Sequence, residues 1–155
     1  MQNNDILRRI RYIFDLGDSQ MRGLFALSDY KVGLPQIRNW LLKEDAPEFV
    51  PLTDTQLALF LNGLIIDMRG QKEGPKPVPE KRLTNNIVFT KLKIALNLKA
   101  DDVLAILESA GFSISKHELS ALFRKPDHKH YRECKDQLLR NFLMGLQKTY
   151  RENEE

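Results

Sequence analysis

Apolar residues return along this chain at spacings of three and four, and no stretch sustains the two-residue alternation of a half-buried strand. The pattern predicts helices. Ile6, Leu7, Ile10 and Phe14 make a first apolar stripe, starting behind Asn4, a residue type suited to an N-cap. Met21, Leu24 and Phe25 make a second, and Ile37, Trp40 and Leu41 a third that opens at Gly33-x-x-Gln36. Leu57, Phe60, Leu61, Leu64 and Met68 make a fourth, opening with the capping box Thr53-x-x-Gln56.

The same pattern then recurs. Shifted by 82 positions, residues 85–151 align with 3–69 without a gap, and twelve positions are identical, among them Asn3/Asn85, Asn4/Asn86, Asp54/Asp136, Phe60/Phe142 and Gly63/Gly145. Pairs such as Ile6/Val88, Leu7/Phe89 and Trp40/Leu122 keep their apolar character. The sequence therefore predicts an all-α protein of two tandem four-helix repeats, 3–69 and 85–151. In the second repeat Ser115-x-x-Glu118 is the capping box of the third helix, and Gly111 suits the left-handed residue that ends the second. Gly63 and Gly145 lie inside the fourth helix of each copy, where glycine costs about 1 kcal/mol relative to alanine. A close approach by another backbone accounts for both.

Residues 70–84 carry Pro75, Pro77 and Pro79 and join the repeats as an extended Pro-rich linker, read as a spacer. The copies differ in polarity. Leu34, Leu42, Val50 and Ile66 correspond to Lys116, Arg124, Arg132 and Lys148, and Leu27, Leu59 and Ile65 to Ser109, Asn141 and Gln147. A position that tolerates charge in one copy faces solvent within the repeat. The first copy must therefore cover Leu59, Ile65 and Ile66 with something beyond its own four helices, which marks them as interface residues.

Charge sharpens the contrast. The first repeat has eight Lys/Arg against nine Asp/Glu, the second twelve against seven, within a chain of net charge +3. The excess gathers in the second repeat at Lys116, Arg124, Lys125, Lys129 and Arg132, beside the aromatic Tyr131. Basic side chains flanking an aromatic suit phosphate contact with base stacking. The second and third helices resemble a helix-turn-helix, although the connection through Asp29 and Val32 is longer than the usual tight turn.

Other chemistry is sparse. His128-x-His130-x-x-x-Cys134 offers three ligands where zinc normally takes four, and the first copy has Ala46, Glu48 and Leu52 there. No metal site, cofactor or catalytic residue follows. The lone cysteine fits a reducing cytoplasm, and no segment has the length and hydropathy of a membrane span or the make-up of a secretory leader.

At residues 3–12, at Trp40-Leu-Leu-Lys-Glu-Asp45, at Phe60-Leu-Asn-Gly-Leu64 and at Phe142-Leu-Met-Gly-Leu146 the chain resembles the bacterial YehS-like family, a tandemly duplicated domain of unknown function. The resemblance spans essentially the whole chain. It implies a cytosolic bacterial protein of two helical repeats and brings no functional residues with it. The expectation from the residues is a non-enzymatic binding protein whose basic second repeat contacts nucleic acid. The alternative is an adaptor whose apolar first repeat docks a protein partner or a second copy of the chain.

Overall fold

A computed structural model describes residues 1–151. Among them are eight α-helices and no strand: α1 (Asn3–Ile13), α2 (Asp18–Leu27), α3 (Leu34–Leu41), α4 (Asp54–Arg69), α5 (Asn85–Ala95), α6 (Ala100–Ser109), α7 (Lys116–Leu122) and α8 (Asp136–Tyr150). Each helix has its counterpart 82 residues on. They fall into two compact units, one of Met1–Leu83 and one from Thr84 onward.

In the first unit α4 packs on α2, which also carries α3, and α1 closes against α3 and α4. The second unit repeats the pairing of α6 with α8, of α6 with α7 and of α5 with α8. The core of the first is Leu7, Phe25, Ile37, Trp40, Leu57 and Phe60, all fully buried, and that of the second is their equivalents. Bulk is redistributed between them. Phe25 lies 5.2 Å from Phe60 and 5.3 Å from Trp40, between ring centroids. In the second unit Leu107 and Leu122 replace Phe25 and Trp40, while Phe89 takes the place of Leu7 and stacks on Phe142 at 4.2 Å. Two rings are lost and one gained at these places, and Phe123 in place of Leu41 adds another, 5.4 Å from Phe89, so rings removed from one wall are replaced on the other, as a close-packed interior requires.

The two interior glycines are contact points. A Cβ on Gly63 would stand 1.8 Å from the carbonyl oxygen of Leu24, and one on Gly145 2.1 Å from that of Ile106. The close approach of α2 to α4, and of α6 to α8, therefore requires glycine at both places.

Several sequence expectations need adjustment. Asn4 is not an N-cap. Gln2 occupies that position, its backbone N–H donating to Asp5 Oδ2 at 3.1 Å, and Asn4 is buried inside α1. Gly33 and Gln36 form no capping box, because glycine has no side chain to accept the returning bond, whereas Ser115 and Glu118 do form one. Gly111 is left-handed (φ 78°), and in the first unit Asp29 takes that conformation (φ 60°). Phe14 and Leu41 are half-buried and Met68 is exposed, each lying at the frayed edge of its stripe.

The linker does more than separate the units. From Lys76 to Leu83 it doubles back along the first one. Lys76 Nζ donates to Leu27 O (2.7 Å) and pairs with Asp29 (2.9 Å). Thr55 Oγ1 donates to Glu80 O (3.1 Å), and Leu83 N–H donates to Asp54 Oδ2 (2.8 Å). The second unit shows why a lysine is needed: Lys148 of α8 reaches Ser109 O at 3.2 Å, and Ser109 is the counterpart of Leu27. With Ile66 in place of Lys148, the first unit draws the same carbonyl ligand from its linker. Lys76→Met should lower the stability of this unit by about 1 kcal/mol, since Asp29, its partner in the ion pair, is largely exposed. That is a fall in Tm of roughly 4–8 °C for a domain of this size. Hydrogen exchange at the Leu83 amide should quicken, with the second unit unchanged.

Candidate nucleic-acid interface

The basic candidates converge on α7 and on the loop that follows it. Ser115 caps α7, and after Leu122 the chain makes two successive turns, His128 N–H donating to Lys125 O and Tyr131 N–H to His128 O, both at 2.9 Å. Arg132 N–H then donates to Ala121 O at 3.1 Å, drawing the loop back against α7.

Asn86 holds this loop from below. Its Nδ2 donates to Leu122 O (3.0 Å) and Arg132 O (2.8 Å), and its Oδ1 accepts from Cys134 N–H (2.9 Å). Asn85 adds bonds from Nδ2 to Cys134 O (3.1 Å) and to Asp136 (2.7 Å). Asn4 and Asn3 make the equivalent five bonds in the first unit, to Trp40, Val50, Leu52 and Asp54. The repeated Asn-Asn pair is thus the device that suspends the loop between the third and fourth helices. Its recurrence in both copies was the available sequence signal, which reads locally as a helix cap.

The six candidate residues are not equally free. Lys116 faces Asp101 at 3.3 Å, and Arg132 binds Glu118 at 2.5 Å. The Arg132 guanidinium, with help from Ser115, holds the Glu118 carboxyl below the usual range, so that pair is formed and charged. Lys125 and Lys129 are exposed, with no carboxylate within 4 Å among the described residues. Arg124 and Tyr131, seven residues apart, are both half-buried, the Tyr131 hydroxyl pushed up first by burial and then by Glu133 and Cys134. Cys134 points inward at 2% exposure, and burial, with Asp136 and Glu133, pushes its thiol up to about 12. It stands apart in environment from His128 and His130, which are exposed. Among the described residues, no three His, Cys, Asp or Glu side chains are grouped to hold a metal ion.

The family described as a protein of unknown function (DUF1456) matches residues 3–70 and again 85–152. The chain belongs to this family. It is 48% identical over 147 residues to a protein of Escherichia coli (strain K12) whose name is uncharacterized protein YehS, covering 94% of each chain. No solved structure matches. The family's doubled match coincides with the doubled helices, so the duplicated unit is the structural unit.

In this member of the DUF1456 family, the face that is basic in the second unit is apolar in the first: Leu34 and Leu42 are half-buried and Val50 is 42% exposed. The other interface candidates, Leu59, Ile65 and Ile66, are half-buried on α4. Thr55, Leu59 and Ile66 lie within about 40° of one another around the helix, and Ile65 roughly a quarter-turn away. The linker, anchored at Leu27, Asp29, Thr55 and Asp54, runs antiparallel to α4 beside the first of these stripes. α4 is also the more enclosed helix, with Ala58 and Asn62 buried where Arg140 and Met144 are exposed. No described helix is long and apolar enough to cross a membrane.

Proposed function

We propose that the protein is a non-enzymatic, cytoplasmic nucleic-acid-binding protein, with its contact surface on the loop between α7 and α8. The observation that carries this reading is the pair Lys125 and Lys129. Both are exposed, with no carboxylate within 4 Å among the described residues although Asp127 lies between them in sequence, and they are displayed on a loop tied at both ends by Asn86, in the stretch between Arg124 and Tyr131. A loop fixed in this way loses little conformational freedom on binding, so its cations act as a preformed phosphate-contacting surface. Lys116 and Arg132 already have acidic partners, so they contribute position more than free charge. A buried free thiol supports a reducing compartment.

With Arg124, Lys125 and Lys129 as the phosphate contacts, log affinity should fall against log salt with a slope of roughly −2 to −3, at ~0.7–0.9 per phosphate. Fluorescence anisotropy with labelled single- and double-stranded oligonucleotides measures it. Replacing Lys125 and Lys129 together by alanine should weaken binding and flatten the slope by about 1.5 to 2, with helical content retained. Replacing Lys116 should change the slope less. No binding at low salt up to high micromolar protein would remove the reading. An adaptor built on Leu34, Leu42 and Val50 would then stand first, because this patch occupies the same place on the repeat.

A further inference from the structure

The loop holds two hydrogen-bond donors that oppose each other. Arg124 Nη1 lies 3.5 Å from His128 Nε2, and the backbone N–H of His130 donates to His128 Nδ1 at 3.0 Å. A neutral imidazole has one accepting and one donating nitrogen. With Nδ1 accepting the shorter bond, the ring proton sits on Nε2. That N–H then faces a guanidinium, which has no acceptor to offer. Two donors directed at one place, without an acceptor between them, are the arrangement that an anionic oxygen satisfies.

Both groups are also held in position. Arg124 is half-buried, and its Nε is shielded from solvent with no hydrogen-bond partner among the described residues, so its outer nitrogens are the ones open to a ligand. His128 is bracketed by two backbone turns, and the His130 ring lies 5.6 Å from its own. The first repeat has Leu42 and Ala46 at the equivalent places, so the pair belongs to the second repeat alone.

We infer that Arg124 and His128 form a phosphate-binding site, in which one phosphate oxygen accepts hydrogen bonds from Arg124 Nη1 and His128 Nε2 together. The inference rests on the nucleic-acid reading only for the source of that phosphate, a phosphodiester of the bound strand. Charge-assisted bonds of this kind are the stronger ones, and removing either donor should cost about tenfold in affinity.

The test uses the full-length protein and two probes. Titration with inorganic phosphate, followed by nitrogen NMR of the histidine rings, should give a saturable shift at His128 Nε2 that is lost in Arg124→Ala. In oligonucleotide anisotropy, Arg124→Ala and His128→Ala should each weaken binding about tenfold. Their double variant should weaken it by far less than the product, since both donors serve one oxygen. His128→Gln, which keeps a side-chain N–H donor, should recover part of the loss. Oligonucleotide binding that persists unchanged in His128→Ala overturns this site while the nucleic-acid reading stands. A phosphate response without any oligonucleotide binding leaves the site standing and removes that reading. No saturable response at His128 to inorganic phosphate overturns the site.

Discussion

Gly63→Ala should strongly destabilise the first unit, while Gly23→Ala in the same unit should stabilise it. Both glycines lie in helices, and both substitutions gain the helix preference of alanine, about 1 kcal/mol. The difference is what the new methyl meets. Around Gly23 there is nothing within 4 Å, whereas at Gly63 the methyl would stand 1.8 Å from Leu24 O, an atom of backbone that no rotamer change removes. To accommodate it, α2 must withdraw from α4, and Leu24, Phe25, Phe60 and Leu64 lose their packing together. Overpacking typically costs about 1–3 kcal/mol where side chains can yield. Here they cannot, and a penalty above roughly 3 kcal/mol is expected. A unit of this size has only about 4–12 kcal/mol to lose. Gly145→Ala should do the same to the second unit, where Ile106 O would be 2.1 Å away. Two thermal transitions, one displaced in each variant, would verify the assignment. A Gly63→Ala protein melting like the wild type would show that the helices are not in this contact.

The glycines also mark how far the sequence could be read. A residue with poor helix preference, placed identically in two copies of one helix, has few explanations other than a backbone neighbour, and Leu24 and Ile106 supply it. The helices themselves were legible because their apolar spacing is repeated with no gap. Asn4 was not, since asparagine behind an apolar stripe is the same signal whether it caps its own helix or reaches across to another loop. Only the fold shows that Trp40, Val50 and Leu52 bring three backbone groups to its amide. The polarity contrast between the copies singled out α4 through Leu59, Ile65 and Ile66, which are half-buried among the described residues. It left open what lies alongside, because Lys76, Thr55 and Asp54 carry no mark of partnership in one dimension. At the basic loop, sequence gave the concentration of charge but not its neutralisation. Asp101 precedes Lys116 by a whole helix and a connection, and Glu118 lies 14 residues before Arg132, beyond any local pairing rule.

Asn4 carries the other large effect, and its two substitutions separate geometry from charge. Asn4→Ala strands Trp40 O, Val50 O and Leu52 N–H, all brought to the buried amide within 3.0 Å. At about 1–3 kcal/mol for each unsatisfied group, partly relieved by water, the loss should be roughly 3–5 kcal/mol. Asn86→Ala should cost the second unit as much, and it also frees the loop that carries Lys125 and Lys129. Oligonucleotide affinity should then fall even at temperatures where the helices persist. Asn4→Asp keeps the shape and changes the electrostatics. One backbone N–H would still donate to the carboxyl, but two carbonyl oxygens would face it where the amide nitrogen had been. The ionised form is disfavoured there, so the folded-state pKa of Asp at position 4 would rise above its unfolded value of about 3.9. Between those two values the folded protein holds more protons than the unfolded one, and stability must fall as pH rises. Relative to wild type, the deficit of Asn4→Asp should be smallest below about pH 4 and grow until the raised value is passed. That of Asn4→Ala should stay level with pH. Denaturant titrations of both variants at a series of pH values measure the two profiles. Parallel curves for the two would mean that the amide nitrogen does not face carbonyl oxygens in solution.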